Sequence, residues 1–197
     1  LNGNFDYTTS GVATSAISNL EVNAAKLVGG NTQSVVVNVV TSATTGDITS
    51  TAASNSTLSA SLTLEISGNT GTQQVSIGSG AALSSIADAV NAAKAATGVS
   101  AAVVSGTLHF NSTGYGATQF VGVKAIAGAT FNVSSAKDSG SDAVVSVNGA
   151  AAQTDGTHVS FRSSDLDVEF DLTAAANAAG TSKTFGMTGV GATFNLG

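Results

Sequence analysis

The sequence predicts a β-rich α+β fold, in which small antiparallel sheets carry one main helix, at about residues 85–97, packed on a sheet. Three observations lead to this prediction. Short segments rich in Val, Thr and Ser alternate apolar with polar residues, as half-buried strands do. Glycine-containing turns separate these segments, and the chain has no Pro to interrupt them. One stretch alone, residues 83–98, spaces its apolar residues as a helix does.

The strands are predicted where alternating segments are bounded by turn residues. Residues 61–67 alternate, the chain turns at "GNTG" (68–71), and residues 72–78 return, which together are a hairpin signal. Further strands are predicted at 34–40, 99–106, 107–112, 118–126, 143–149, 158–163 and 166–172. The other segments are weakly patterned (1–34), polar and expected to be flexible (41–57), or typical of a short helical turn or linker (173–180).

The predicted helix has a start signal and a stop signal. Ser85 and Asp88 fit a variant of the capping box, with Ser85 as the N-cap. Ile86 and Val90 belong to an apolar stripe at helical spacing, so we expect this face to lie on a sheet. Gly98 is the expected end of the helix, because glycine adopts the left-handed conformation of a C-terminal cap.

The composition excludes several classes of function. The net charge is −6, and the six Lys and Arg residues are scattered, so there is no basic patch for nucleic acid or anionic lipid. The absence of Cys excludes disulfides, thiolate metal sites and cysteine catalysis. No apolar run is long enough for a membrane span. Because the sequence begins at Leu1 without Met, we expect it to be part of a longer protein.

Candidate catalytic and cofactor residues are sparse. Gly78-Ser79-Gly80 lies between a strand and the helix, but Leu83 stands where a dinucleotide fingerprint needs a third small residue. We therefore predict a flexible strand-to-helix turn there. His109 and His158 are the only histidines, and neither belongs to a zinc-binding pair. We predict no catalytic, cofactor-binding or metal-binding residue, and no cofactor.

One strand is unusually acidic. Asp165, Asp167, Glu169 and Asp171 alternate with apolar residues, which places four carboxylates on one face. Two of them could share a Ca²⁺ ion if a neighbouring loop supplied further oxygen ligands. We favour the alternative of an acidic solvated face that also discourages edge-to-edge pairing of sheets.

Residues 62–124 resemble the flagellin hook IN motif. That motif runs from a hairpin through "G…L..I…IN…..TGV.A" to strands containing "L.F.S..YG", and Val90 stands where it usually has Ile. The matching residues are Leu83, Ile86, Asn91, Thr97, Gly98, Val99, Leu108, Phe110, Ser112, Tyr115 and Gly116. The flanking segments 37–44 and 146–172 also resemble outer-domain strands of flagellins, whereas 1–5 and 192–197 resemble the chain as it leaves and returns to the conserved filament core.

The resemblance implies a structural, non-catalytic role in the outer, solvent-exposed region of a bacterial flagellin. It implies an extracellular location in the flagellar filament, a contribution to the filament surface and to motility, and neighbouring flagellin subunits as partners. It also implies a root subdomain formed by residues 1–60 and 127–197, and a distal module at 61–126. The isolated segment is expected to be a monomer, and its exposed hydroxyls are possible sites for surface glycans.

Three alternatives remain open at this point. The chain could be the equivalent region of a filament cap or hook-associated protein, which share the motif. It could be an adhesive or glycan-binding module of a secreted surface protein, which an exposed aromatic platform at Tyr7 or Tyr115 would support. An embedded metalloprotease, as in some flagellins, would need a zinc motif that the sequence lacks.

Overall fold

The computed structural model describes residues 7–27, 32–50 and 57–189, which form sixteen strands and two helices. The first half contains β1 (Tyr7–Ser10), β2 (Ile17–Ala25), β3 (Gln33–Thr41), β4 (Asp47–Thr49), β5 (Leu62–Gly68), β6 (Gly71–Ile77), α1 (Leu83–Ala92) and α2 (Lys94–Thr97). The second half contains β7 (Val99–Val104), β8 (Thr107–Ser112), β9 (Phe120–Gly128), β10 (Lys137–Ser139), β11 (Val144–Val147), β12 (Ala150–Ala151), β13 (Gln153–Asp155), β14 (His158–Arg162), β15 (Leu166–Leu172) and β16 (Ser182–Gly189).

The chain divides into two compact units. Unit 1 combines Leu1–Ala43 with Ala143–Gly197, and unit 2 is Thr44–Asp142, so unit 2 is inserted into the chain of unit 1. Unit 2 holds all of the predicted distal module, together with residues 44–60 and 127–142. The assignment of root and distal roles to these units stays a prediction.

Unit 1 consists of two sheets that share one hydrophobic core. Sheet A has the strand order β1-β16-β3-β11-β12, sheet B has the order β13-β14-β15-β2, and all neighbouring strands are antiparallel. Alternate residues of each strand point into the core, as the two-residue period of a strand requires. The core includes Val35, Val37, Val145, Phe185 and Met187 from sheet A, and Val159, Val168 and Phe170 from sheet B.

Unit 2 packs two smaller sheets and α1 around a second core. Sheet C has the order β10-β9-β5-β6, and sheet D has the order β4-β8-β7. Helix α1 packs on β7, β6 and β8 through its apolar stripe. Phe110 of β8 lies at the centre, where its ring meets Phe131 edge-on with 6.1 Å between centroids. The prediction of a β-rich fold with small antiparallel sheets is therefore confirmed.

The predicted hairpin at 61–78 is confirmed, with a tighter turn. β5 pairs with β6 in continuous register, and Gly68 lies opposite Gly71, so only Asn69 and Thr70 connect the strands. The alternation of 61–67 holds, because the apolar residues of β5 are buried and its polar residues are half-buried.

The prediction of one helix at 85–97 is wrong in its start and its continuity. Ala82 is the N-cap and makes no side-chain cap bond, while the Ser85 N–H donates to the Ala82 carbonyl oxygen. The earlier start buries Leu83 together with Ile86. At Ala93 the backbone leaves helical geometry (φ −94°, ψ 2°), which separates α1 from α2. Gly98, with φ 72°, ends α2 as expected.

Several segments without a predicted strand form strands in the structure. β1 and β2 lie in the weakly patterned start, β4 lies in the polar segment 41–57, and β10 and β16 follow stretches with no clear alternation. Residues 173–180 form turns. The flagellin-like ends 1–5 and 192–197 lie outside the described residues.

Candidate functional site

The acidic strand lies inside a sheet and not at its edge. β15 pairs with β14 on one side and β2 on the other, so the predicted role in discouraging edge-to-edge pairing is wrong. The alternation itself is confirmed, because Asp167, Glu169 and Asp171 are half-buried on the outward face of sheet B. Asp165 precedes the strand, and its Oδ1 lies 3.7 Å from Lys26 Nζ.

The carboxylates of β15 belong to separate cross-strand rows, where a row means the residues that lie next to one another on β14, β15 and β2. In one row His158 Nδ1 lies 2.8 Å from Asp171 Oδ1, and Asn19 Nδ2 donates to Asp171 Oδ2 at 2.7 Å. Four residues away along β15, in another row, Arg162 Nε donates to Asp167 Oδ2 at 2.7 Å. These contacts hold the two aspartates apart with different partners, so they do not converge on one point as Ca²⁺ ligands must.

The middle row brings like charges together. Glu169 lies directly opposite Glu21 of β2, and on its other side Ser160 Oγ lies 3.5 Å from Glu169 Oε1. Like charges on facing positions of neighbouring strands are unfavourable. This row therefore weakens the sheet electrostatically.

The pKa of Asp171 is lowered from its usual value of 3.8. Burial acts in the opposite direction and raises the pKa, but hydrogen bonds from Asn19 and His158 and the charge of His158 together outweigh it. Because these partners stabilise the charged form, Asp171 contributes to folding as a carboxylate.

A concavity of about 470 Å³ lies beside the middle row. Its lining residues are Ala151, Gln153, Ser160, Phe161, Arg162 and Glu169. The walls therefore present an amide, a hydroxyl, a guanidinium and a carboxylate around little apolar surface, whereas pockets for small molecules are mainly apolar.

Unit 2 contains a second histidine–aspartate pair. His109 Nδ1 lies 3.1 Å from both carboxylate oxygens of Asp47, which is its diagonal neighbour on β4, since Thr49 is the residue directly opposite. The neighbours Leu108 and Phe110 are fully buried, so His109 takes the outward side of β8 as predicted. In a catalytic triad the histidine ring that bonds the carboxylate also hydrogen-bonds a hydroxyl group. Among the described hydrogen bonds, neither histidine bonds a hydroxyl group.

The Gly78-Ser79-Gly80 segment forms the turn between β6 and α1. The Gly80 N–H donates to the Leu58 carbonyl oxygen at 2.7 Å, and Gly80 has φ 77°. A phosphate-binding loop needs N–H groups that are directed at the ligand. The Gly80 N–H is instead used within the protein.

The residues of the flagellin-like motif make hydrogen bonds to the backbone of unit 2. Asn91 Nδ2 donates to the Ala101 carbonyl oxygen at 2.8 Å, and the Ala101 N–H donates to Asn91 Oδ1 at 2.9 Å. Thr97 is fully buried, donates to the Ala93 carbonyl oxygen and accepts from the Val99 N–H. These side chains therefore connect α1, α2 and β7.

Other motif positions close the loops around β8 and β9. Ser112 Oγ accepts from the Gly46 N–H at 3.0 Å and donates to the Gly114 carbonyl oxygen at 2.9 Å. At Gly98 an added Cβ would lie 2.5 Å from Thr70 Oγ1, so both the left-handed backbone and the lack of space require glycine. The sequence alone did not indicate these contacts, because the partners are distant in the chain.

Asn69 and Asn177, which the sequence analysis did not single out, act as Asn91 does. Asn69 bonds the Thr118 carbonyl oxygen and the Phe120 N–H, and Asn177 bonds both backbone groups of Ala43. In each case one amide side chain satisfies a donor and an acceptor of a neighbouring segment. These asparagine side chains therefore hold neighbouring segments of the fold together.

No three His, Asp or Glu side chains in the described ranges are grouped so that they could hold a metal ion. Within the same ranges, neither helix is long and apolar enough to cross a membrane.

The comparisons with known proteins support a flagellar relationship. Residues 63–114 match the sequence profile of the flagellin hook IN motif. No curated protein sequence matches the chain.

Several solved structures of flagellar cap proteins have a similar fold. The D2-D3 domains of FliD from Escherichia coli share 17% identity at a TM-score of 0.52, over 93% of this chain and 98% of that one. FliD from Bdellovibrio bacteriovorus shares 18% identity at a TM-score of 0.56, over 86% and 95%.

A longer E. coli FliD structure with domains D1, D2 and D3 shares 19% identity at a TM-score of 0.52. The match covers 92% of this chain but only 56% of that structure. At these identities the likeness is one of fold. The chain therefore carries a flagellin hook IN motif at residues 63–114, within a fold similar to that of FliD domains D2 and D3.

Proposed function

We propose that the chain is the outer, structural region of a flagellar cap-type subunit, exposed outside the cell and without catalytic activity. One observation carries the proposal: the fold likeness to FliD D2-D3 extends over 93% of this chain and 98% of that structure, and so includes both units. A likeness confined to the motif would have supported only unit 2.

The side-chain chemistry supports a structural role. Asn91, Thr97 and Ser112 all use their polar atoms on nearby backbone groups. Hydrogen bonds of this kind rigidify a fold, because breaking them would leave backbone groups without a hydrogen-bond partner.

The strand order supports a root role for unit 1. β1 and β16 are antiparallel neighbours, and Tyr7 is the register partner of Gly189. The two described ends of unit 1 therefore leave the sheet side by side. This geometry suits a region that is attached at one place, with unit 2 as the more distal module.

A flagellin outer domain is the second candidate, because the motif that matches residues 63–114 is a flagellin motif. In both cases the partners would be neighbouring flagellar subunits, and the contribution to motility would be mechanical. Exposed hydroxyls would be the places for surface glycans. A glycan-binding role has less support, because the Tyr7 hydroxyl bonds the Ala25 backbone, which leaves Tyr115, 38% exposed, as the one aromatic ring of the two expected for such a platform.

Purified flagella from the source cells would test the proposal. The filaments would be sheared off and washed, and peptides of this chain would be quantified by mass spectrometry against the main filament protein. A cap-type subunit predicts a few copies per filament, whereas a flagellin predicts near-equal amounts. Absence from flagella, with the chain present elsewhere in the cells, would contradict both candidates.

A further inference from the structure

Most edge strands of the described sheets are too short to accept a further strand. An edge strand presents unpaired backbone N–H and C=O groups, and proteins limit further pairing with short strands, irregular register, charges or covering groups. Each of the four sheets has two edges. Five of the eight edge strands have four described residues or fewer, namely β1, β4, β10, β12 and β13.

Two longer edge strands, β2 and β7, are protected in other ways. In β2 the backbone of Asn19 has φ 50°, the register with β15 shifts twice, and Glu21 adds a charge. In β7 the side chain of Asn91 bonds both backbone groups of Ala101. A strand added at either edge would have to displace or bypass these features.

Strand β6 has none of these protections. It is seven residues long, pairs with β5 in continuous register, and contains neither a charged residue nor Pro. Its residues Thr72, Gln73, Gln74 and Ser76 are exposed, although α1 and α2 contact the strand. Among the edge strands of the described sheets, β6 is therefore the one that combines length, regular register and absence of charge.

The turn between β5 and β6 determines which backbone groups of β6 face outward. Gly68 and Gly71 flank a two-residue turn and bond each other, so alternate residues from Gly71 onward bond β5. On the other side of β5, the Ala129 N–H donates to the Ser61 carbonyl oxygen, as the same alternation requires. The residues whose N–H and C=O groups face away from β5 are Thr72, Gln74 and Ser76. None of the described hydrogen bonds uses these backbone groups.

Unpaired backbone groups at strand spacing are complementary to another strand, and β6 of a second copy supplies one. With a two-fold axis at Gln74, an antiparallel partner places Thr72 opposite Ser76 of the second copy and Gln74 opposite Gln74. All of these residue pairs are of the type that exchanges two hydrogen bonds. The facing side chains are hydroxyls and amides, which can also bond across the contact.

The charges around this edge favour the two-fold pairing. Each copy has a net charge of −6, so most approaches between two copies bring like charges together. Glu65 of β5 lies opposite Gln74, and on its other side it lies opposite Lys124 of β9. The carboxylate nearest the axis therefore has a lysine beside it. Pairing through β6 joins two locally neutral rows.

The size of the edge predicts a weak contact. Seven residues at about 3.3 Å each give a strand about 23 Å long, and a sheet is about 10 Å thick, so roughly 200 Å² per copy is covered. Stable interfaces bury about 800 Å² per partner. The contact therefore belongs to the weak and reversible class.

We infer that β6 is a strand-addition edge, through which the sheets C of two copies join as one continuous antiparallel sheet. The contact closes at two copies and concerns the chain in solution. It does not rest on the proposed function or on how subunits follow one another in a flagellum. It implies a monomer at micromolar concentration and a reversible dimer near millimolar concentration.

Hydrogen exchange tests the pairing residue by residue. The whole chain labelled with ¹⁵N would be followed by NMR from micromolar to millimolar concentration, with sedimentation in parallel. The amides of Thr72, Gln74 and Ser76 should exchange fast in the dilute sample and more slowly in the concentrated one. The amides of Gln73 and Val75, which bond β5, should be protected in both.

Two double variants test the register. Thr72→Lys with Ser76→Glu places each lysine opposite a glutamate of the second copy, so it should strengthen dimerisation. Thr72→Lys with Ser76→Lys places lysines opposite each other, and its dissociation constant should be about tenfold higher than that of the first variant. The lysine pair makes the net charge less negative, so a weaker dimer could not come from overall repulsion.

A proline variant tests the backbone groups themselves. Gln74→Pro removes an N–H that faces away from β5, so the hairpin should keep its bonds while dimerisation is lost. Val103→Pro is the matched control on the edge of β7, because Val103 lies two residues after Ala101 and also faces away from β8. It should leave dimerisation unchanged.

Three results would each overturn the inference. The chain could stay monomeric at millimolar concentration, the protected amides could lie on another surface, or the two double variants could dimerise equally. None of them bears on whether the chain occurs in purified flagella, so the failure of this inference and that of the proposed function are distinguishable.

Discussion

Asn91 and Ala101 exchange two hydrogen bonds, at 2.8 and 2.9 Å, and so join the end of α1 to the middle of β7. The amide of Asn91 acts as a strand neighbour would, because it offers a donor and an acceptor to the same residue. The asparagine that gives the motif part of its name therefore has a packing role in this chain.

Replacing Asn91 should destabilise unit 2. Asn91→Ala leaves the buried Ala101 without both partners, so the free energy of unfolding should fall by about 1–3 kcal/mol. Asn91→Asp should be no better at neutral pH, because a carboxylate cannot donate to the Ala101 carbonyl oxygen. Asn132→Ala, at an exposed position of unit 2, is the control. Urea unfolding measures all three, and equal midpoints for Asn91→Ala and Asn132→Ala would contradict the packing role.

The start of α1 can be tested with two conservative changes. Ala82 has extended backbone angles (φ −79°, ψ 166°) and no side-chain cap, so Ala82→Ser should stabilise unit 2 by about 1 kcal/mol. Ser85→Ala should be nearly neutral, because Ser85 lies inside the first turn. Thermal unfolding would distinguish this from the capping-box prediction, under which Ser85→Ala alone is costly.

The like-charged pair in sheet B should be a site of easy stabilisation. Glu21 faces Glu169, so Glu21→Lys should raise the free energy of unfolding of unit 1 by a few tenths of a kcal/mol. The gain should shrink in high salt, which screens exposed charges. A gain that is independent of salt would mean that the two side chains do not interact electrostatically.

Unit 1 should lose stability in acid partly through Asp171. Its folded-state pKa lies below 3.8, so the stabilisation is present above that pH and disappears as the pH falls through the folded-state pKa. The urea midpoint of unfolding would be measured from pH 6 to pH 2. Near pH 2 it should fall less steeply with decreasing pH in Asp171→Asn than in the parent chain. Asp165→Asn, at an exposed carboxylate outside the row, should retain the parent slope.

The acidic strand should not respond selectively to Ca²⁺. Asp167 is held by Arg162 and Asp171 by His158 and Asn19, in different rows. Millimolar CaCl₂ should therefore shift the melting temperature no more than MgCl₂ of equal ionic strength. A selective rise with Ca²⁺ that chelator reverses and Asp167→Asn abolishes would establish a metal site here.

Local patterns predicted the strands with a strict two-residue period. β8 and β15 have the predicted bounds, and β5 with β6 form the predicted hairpin. In these segments alternation alone decides which face is buried, so no distant information is needed. The same alternation could not place β15 inside its sheet, because the pairing of β15 with β2 joins segments that are far apart in the chain.

The missed features depend on distant partners. β4 is a three-residue strand whose only strongly apolar residue, Ile48, is fully buried between neighbours from elsewhere in the chain. The contacts of Asn69 and Asn91 are equally invisible in the sequence, because asparagine is also a common turn residue. The error at Ser85 arose because serine is favoured at N-caps, whereas the burial of Leu83 moved the start of α1 upstream.

Immunogold electron microscopy of intact flagella tests the central claim most directly. Antibodies raised against the whole chain would be applied to source cells, and antibodies pre-absorbed with the chain would serve as the control. The account predicts gold particles on the outside of the flagellum, at the tip for a cap-type subunit or along the filament for a flagellin. Labelling of the cell body or medium without any on flagella, although the antibody recognises the chain in the same cells, would contradict it.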